Sequence, residues 1–304
     1  MGPMLRWALA FAAVLGLAAW FLTAPGRITA AELSQFEPDV EHGERIFLAA
    51  GCASCHTAPE GTQRGNGTDG PGGTGPVLAG GQRFVSDFGT FLAPNISSDE
   101  THGIGAWSDA ALVTAIMEGT SPDGAHYYPV FPYAAYGLAE RGDIVDLVAY
   151  MRTLPASDVP SQPHEVSFPF TLRRGIGLWK LAFRQTDWAV PGPLSEPAER
   201  GRYLAEALGH CAECHTPRNS AGGLRFSEWL AGAPVPDGPG RVPGITPALL
   251  DWSQADIAYY LETGLTPDYD SAGGHMVAVI DKLSQLPQED RDALASYLVE
   301  LPGR

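Results

Sequence analysis

Cys52-Ala53-Ser54-Cys55-His56 carries the most specific chemistry in the chain. A C-x-x-C-H run puts two thiols and an imidazole within about a turn and a half of helix. That spacing lets two thioethers fix a porphyrin edge while the histidine reaches its iron. A redox C-x-x-C or half of a zinc site needs no following histidine, and the surroundings are not thioredoxin-like. The pattern recurs as Cys211-Ala212-Glu213-Cys214-His215, and the two copies consume all four cysteines, leaving none for a disulfide. The chain is therefore expected to carry two covalently bound haem c groups, attached at Cys52, Cys55, Cys211 and Cys214, with His56 and His215 as iron ligands.

An electron-transfer haem usually takes a second protein ligand opposite the histidine, and methionine there raises the potential. Beyond the N-terminal stretch the methionines are Met117, Met151 and Met276. Met276 follows Gly273-Gly274-His275, where a loop can carry a side chain over a haem face, and it is the expected ligand of the second iron. Its neighbour His275 is the rival and is expected to point away. Trp107-Ser108, Gly119 and Pro122-Asp123 match Trp252-Ser253, Gly264 and Pro267-Asp268 at a constant offset of 145. Carried back by that offset, position 276 falls on Phe131, in Tyr128-Pro129-Val130-Phe131-Pro132-Tyr133, and phenylalanine cannot bind iron. Three readings stand for the first haem. Another side chain reaches the iron, with His126 first, then Met117, Met151 and His102; or the iron is five-coordinate with Phe131 over its open face; or the site is open to a small molecule. The bland reading of His126 is a polar contact to a propionate or a backbone group.

Positioning these residues calls for helices. The spacing predicts a helix from Val40 into the first motif, a second from Ser108 to Gly119, and a closing helix from Asp143 to Leu154 before Pro155. The second half repeats the order: Gly201 to Leu208, Trp252 to Gly264, and Glu289 to Leu301 before Pro302. Gly61 to Gly81 is glycine-rich and reads as a loop; without G-K-[ST] it is no phosphate cradle. The fold class expected is all-α, with two tandem cytochrome c-like haem domains after an N-terminal transmembrane helix. Residues 1–30 form the anchor or signal segment, 31–156 the first domain, 157–199 the linker and 200–304 the second domain. Phe168, Phe170, Trp179 and Phe183 in the linker are expected to pack between the domains; a membrane or partner contact near Arg173, Arg174 and Lys180 is the alternative.

The stretch from Trp7 to Ala24 has no charge and approaches the ~20 residues that cross a bilayer. Its length favours an uncleaved anchor over a signal cut after Ala30 or Ala31. Arg6 on the short side places the N-terminus in the cytoplasm and the body on the periplasmic side of a bacterial inner membrane. The formal net charge of −16 excludes nucleic acid as a partner, since phosphates would be repelled.

Together the motifs resemble the cytochrome c subunits of membrane-bound alcohol, aldehyde and gluconate dehydrogenases. The pieces are Gly51 to His56, Asn95-Ile96-Ser97, Gly103 to Ser108, His126 to Tyr133, Gly209 to Asn219, Gly244-Ile245-Thr246-Pro247 and Gly273 to Met276. The resemblance implies haem c, a periplasmic location, and His56, His215 and Met276 as ligands. It also implies single-electron transfer from a dehydrogenase or a quinol-oxidising complex to a terminal acceptor such as an oxidase. Two departures stand out: those subunits usually carry three haem motifs, and they tend to have Ala-Met-Pro-Tyr where this chain has Val130-Phe131-Pro132-Tyr133. The alternative from the enzyme class is a dihaem oxidoreductase whose open first haem binds or reduces a small molecule.

Overall fold

The computed structural model describes residues 2–59, 75–236 and 238–302. Most of the loop expected over 61–81 lies outside them.

Helix α1 (Pro3–Leu22) is apolar on all sides and exposed along its length, long and apolar enough to cross a membrane. The short α2 (Ala30–Leu33) is held by a capping box between Thr29 and Glu32. Just before it, Ile28 is buried, and its amide donates to Thr114 Oγ1 at 2.9 Å, tying the foot of α1 to the body.

The first half of the body follows. Helix α3 (Val40–Ala49) starts where Asp39 accepts from His42 N at 3.0 Å, and buries Ile46 and Phe47. Gly51, left-handed at φ 62°, turns the chain into α4 (Cys52–His56). Helix α5 (Asp109–Glu118) is capped by Ser108 and closed by left-handed Gly119. The short α6 (Tyr133–Tyr136) and α7 (Arg141–Met151) complete the set, with α7 packed along α3.

The expectation of a purely helical chain needs correction. Strands β1 (Arg83–Ser86) and β2 (Gly89–Leu92) form an antiparallel hairpin joined by Asp87-Phe88, and β3 (Glu165–Val166) pairs with β2. Gly89 sits at φ 128°, and a Cβ there would lie 2.5 Å from Glu165 O, so only glycine lets β3 approach. The fold is mostly helical with a small sheet on one side.

The segment 157–199 is not a bare tether. It carries β3 and α8 (Ile176–Phe183), and α8 touches both halves. Lys180 Nζ donates to Gly119 O at 2.9 Å, and Trp179 Nε1 donates to Ala221 O at 2.9 Å. Trp179 and Phe183 thus lie against the second half, where a Cβ on Gly223 would lie 2.4 Å from the Phe183 ring. Phe168 and Phe170 do not pack between the halves: both are exposed.

In the second half, α9 (Glu196–Arg202) runs into a π-helical turn, Tyr203–Leu208, ahead of α10 (Ala212–His215). A two-residue ribbon, β4 (Ala233–Pro234) with β5 (Arg241–Val242), and α11 (Pro247–Leu250) lead to α12 (Gln254–Thr263). Helices α13 (Met276–Leu283) and α14 (Gln288–Glu300) end the chain, with α14 packed along α9.

The two helix crossings are built alike. A Cβ on Gly43 of α3 would lie 2.0 Å from Asp146 O, and one on Gly201 of α9 would lie 1.9 Å from Ala293 O. Each glycine lets backbone meet backbone. From glycine to the first motif cysteine is nine residues in the first half and ten in the second, and the π turn takes up the extra one. One buried cluster runs through both halves, from Ile46, Ile144 and Leu147 to Leu204, Leu208 and Leu298.

Candidate functional site

In each half the motif histidine sits in the same backbone cradle. His56 Nδ1 lies 2.9 Å from Pro94 O, and His215 Nδ1 lies 2.8 Å from Pro243 O. A carbonyl only accepts, so Nδ1 carries the proton in both rings and Nε2 keeps its lone pair. Behind each ring a left-handed glycine closes the turn: Gly80 N donates to His56 O and Gly232 N to His215 O, both at 2.7 Å. One step further, Ile96 N donates to Leu78 O at 3.0 Å and Ile245 N to Leu230 O at 2.9 Å. The first cradle is pinned by buried Asn95, whose Nδ2 reaches Ser157 O and Val159 O at 2.8 Å while its Oδ1 accepts from Ser97 N at 2.9 Å.

Pro94 and Pro243 were not singled out from sequence as site residues. Their signal is the repeated Pro-x-Ile: Pro94-Asn95-Ile96 and Pro243-Gly244-Ile245.

None of the four cysteines is paired in a disulfide. Burial pushes Cys52 and Cys211 up to about 12 and Cys55 up to about 11, and raises Cys214. A dithiol redox motif needs the opposite, a stabilised thiolate. Burial also lowers His56 and His215, against the hydrogen bonds to Pro94 and Pro243, which favours neutral imidazole. Two cysteines outside any disulfide, beside a neutral imidazole with Nε2 to spare, are a set that fits haem c, and it occurs twice.

The two motifs meet. The Tyr136 ring stands at 87° to the His210 ring, with centroids 5.6 Å apart, and Tyr136 Oη donates to Ala50 O at 2.9 Å. Cys214 contributes to the raised value of Cys55. Ser54 Oγ donates to Ala278 O at 3.2 Å, so α13 of the second half rests on α4 of the first, and reciprocally α6 rests on the π turn.

Met276 opens α13 after left-handed Gly274 and is half-buried, whereas His275 is exposed. Phe131, its counterpart by offset, lies among Tyr127, Tyr133 and Tyr136, with centroids 6.0, 6.4 and 5.8 Å away. Met117 and Met151 are buried in the core, and His102 donates its amide to Asp99 Oδ1. His126 is buried, with Nε2 3.0 Å from Thr23 O at the foot of α1; a Cβ on Gly177 would lie 2.9 Å from that nitrogen. The groups around its ring are Thr23 at the end of α1, Arg173 and Arg174 in the turn before α8, and Lys180 in α8, and its Nδ1 has no hydrogen-bond partner among the described residues.

A sequence profile of the cytochrome c family matches residues 40–155. Over 97% of its length the chain is 50% identical to a dihaem c-type cytochrome of Cereibacter sphaeroides, of which it covers 97%. The chain belongs to the dihaem cytochromes c. The cytochrome binds two haem c groups covalently and is an electron-transfer protein. It is also similar to the fructose dehydrogenase cytochrome subunit of Gluconobacter japonicus, at 36% identity over 89% of the chain and 54% of that subunit. One of the subunits of nicotinate dehydrogenase from Pseudomonas putida is 35% identical over 87% of the chain, which spans 21% of that protein. The cytochrome thus spans about half of the first of these longer relatives and a fifth of the second.

Proposed function

We propose that this cytochrome passes single electrons between a dehydrogenase and a terminal acceptor, from the periplasmic side of the inner membrane to which α1 anchors it. The observation that carries the reading is the pair of like cradles meeting through Tyr136, His210 and Ala50. Two centres held back to back suit relay better than independent work. Haem c at each centre supplies one-electron redox chemistry. The protein's part is to fix each imidazole, bury the attachment segments and hold the two at constant separation.

Residues 31–156 and 200–304 serve as two cytochrome c domains, with 157–199 joining them and sharing one core. Cys52 and Cys55 with His56 hold the first haem, and Cys211 and Cys214 with His215 hold the second. Met276, half-buried at the head of α13, would supply the second iron with a sulfur ligand besides His215. For the first haem Phe131 would stand where Met276 stands for the second, and His126 is already engaged by Thr23 O. A dehydrogenase donor is inferred from the similarity to the two dehydrogenase subunits. A quinol-oxidising complex is the alternative donor, and an oxidase the acceptor.

Potentiometric titration of the holoprotein, followed in the visible spectrum, tests this. Two one-electron steps are expected, and Met276→Ala should remove a sulfur-to-iron band and lower one potential only. An unchanged band in the folded variant would overturn the ligand assignment. Phe131→Met should add a second such band, and His126→Gln should leave the spectrum of the first haem as it was.

A further inference from the structure

The segment leading into α8 presents water with an apolar face. Phe168, Phe170, Leu172, Leu178 and Leu181 are 77, 43, 58, 57 and 59% exposed. Of the two rings, Phe170 meets Phe88 edge-on at 5.2 Å and keeps its remaining surface outward. Leu178 and Leu181, three residues apart, share one side of α8. Its other side is fixed. Ile176 and Gly177 are buried, a Cβ on Gly177 would lie 2.6 Å from Thr23 Cβ, and Lys180 sits over the Tyr133 ring at 4.4 Å. Arg184 pairs with Glu118 at 2.6 Å and donates to Met117 O at 2.9 Å. The outward leucines are thus held out by a rigid support and cannot fold inward.

The place of this face says what covers it. The Arg174 guanidinium stacks on the Trp20 ring at 4.1 Å and donates to Trp20 O. Trp20 lies in the last turn of a 20-residue apolar helix whose length, about 30 Å, matches the hydrocarbon core of a bilayer. A span of that length puts its terminal tryptophan at the boundary between acyl chains and headgroups, the level at which tryptophan concentrates. Whatever touches Trp20 shares that level. Arg174 there suits a phosphate headgroup, on a chain whose net charge is −16, while its neighbour Arg173 is held inward by His126 O and the Tyr128 ring.

We propose that Phe168, Phe170, Leu172, Leu178 and Leu181 dip into the interface of the same bilayer that α1 crosses, making α8 a monotopic second foothold. The proposal rests on the reading of α1 as an uncleaved anchor. The contacts of Ile28, His126 and Arg174 hold the body to the foot of α1, and a second foothold adds lipid contact that fixes which face lies against the membrane. Because α8 is bonded to Gly119 in one half and Ala221 in the other, both haem centres keep constant heights above the lipid.

The test uses the full-length holoprotein in phosphatidylcholine vesicles at about one chain per vesicle, with no other protein. Single-cysteine variants Phe168→Cys, Leu178→Cys, Leu181→Cys, Val14→Cys and Tyr269→Cys are treated with a charged, membrane-impermeant maleimide, and the rate is read by mass spectrometry on chains whose body faces outward. The haem cysteines are thioethers and do not react. Tyr269 is 90% exposed, and its amide hydrogen bond stays within its own turn, to Thr266 O at 2.9 Å. The expected result is labelling several-fold slower at 168, 178 and 181 than at 269, with position 14 unreactive. Reaction at 168, 178 and 181 as fast as at 269, with 14 still protected, overturns the foothold and leaves the anchor standing. Labelling at position 14 overturns the anchor itself. Protection that appears only at high protein density, or only once a dehydrogenase is added, makes the face a protein interface and overturns the proposal. Retention of both haems in the visible spectrum shows each variant folded.

Discussion

Glu206 is the residue that most separates the second haem's surroundings from the first. It is buried in the π turn, and its carboxylate accepts from Tyr297 Oη and Ala189 N at 2.6 Å and from Val190 N and Gln185 Nε2 at 3.2 Å. Burial raises its pKa above the ordinary carboxylate range, while these hydrogen bonds pull the other way. Between the ordinary and the raised value the folded chain holds the proton that the unfolded chain has lost, so stability falls as pH rises through that window. Glu206→Gln keeps an acceptor for Tyr297 and removes the titration. Chemical denaturation across pH should show the variant gaining on the parent from the acid side upward, then levelling off. Glu206→Ala should instead cost about 1–3 kcal/mol, because the buried donors lose their partner. None of this was legible in the sequence, where a glutamate within a helix reads as a surface residue. By contrast Cys52 to His56 and Cys211 to His215 were plain, since a covalent cofactor demands a fixed spacing.

At the scale of elements, the helices were legible because capping and periodicity are local. Ser108 and Ser253 cap α5 and α12, and Gly119 and Gly264 close them, as the sequence reading expected. The hairpin of β1 and β2 was missed: its strands are four residues each, and Asp87-Phe88 is an uncommon turn pair, so the local signal is weak, and the pairing with β3 comes from far along the chain. The crossing glycines were also invisible, because their role depends on a helix about 90 to 100 residues away in the chain. Gly43→Ala or Gly201→Ala should destabilise by about 1–3 kcal/mol, since the methyl meets a carbonyl of the facing helix and outweighs the better helix propensity. Thermal melts followed by circular dichroism would read the loss. An increase in stability would mean that the helices can slide apart at no cost.

At the scale of the whole molecule, the halves are joined by polar contacts as well as by the common core. Tyr203 Oη donates to Asp143 Oδ2 at 2.6 Å and accepts from Glu140 N at 3.1 Å, linking the start of the π turn to α7. Tyr203→Phe should cost about 1 kcal/mol in denaturant titration and leave both haem spectra unchanged, because the ring stays and only the hydroxyl goes. A changed spectrum would mean that the junction sets haem geometry directly. The repeat at offset 145 made two halves legible, but not how they meet, since their complementary surfaces, Ser54 with Ala278 and Tyr136 with His210, carry no motif.

The extra residue in the π turn has a further consequence. When one unit of a duplicated chain gains a residue, its downstream parts normally lose alignment with their sister, and both copies stop fitting the same mould. Here the wide turn swallows the insertion, so the imidazole cradles stay superimposable in their bonding while the side chains around them are free to diverge. At the offset of the cysteines, position 206 answers to Phe47: a hydrocarbon in one copy, an ionisable acid in the other. Like backbones thus carry unlike electrical environments.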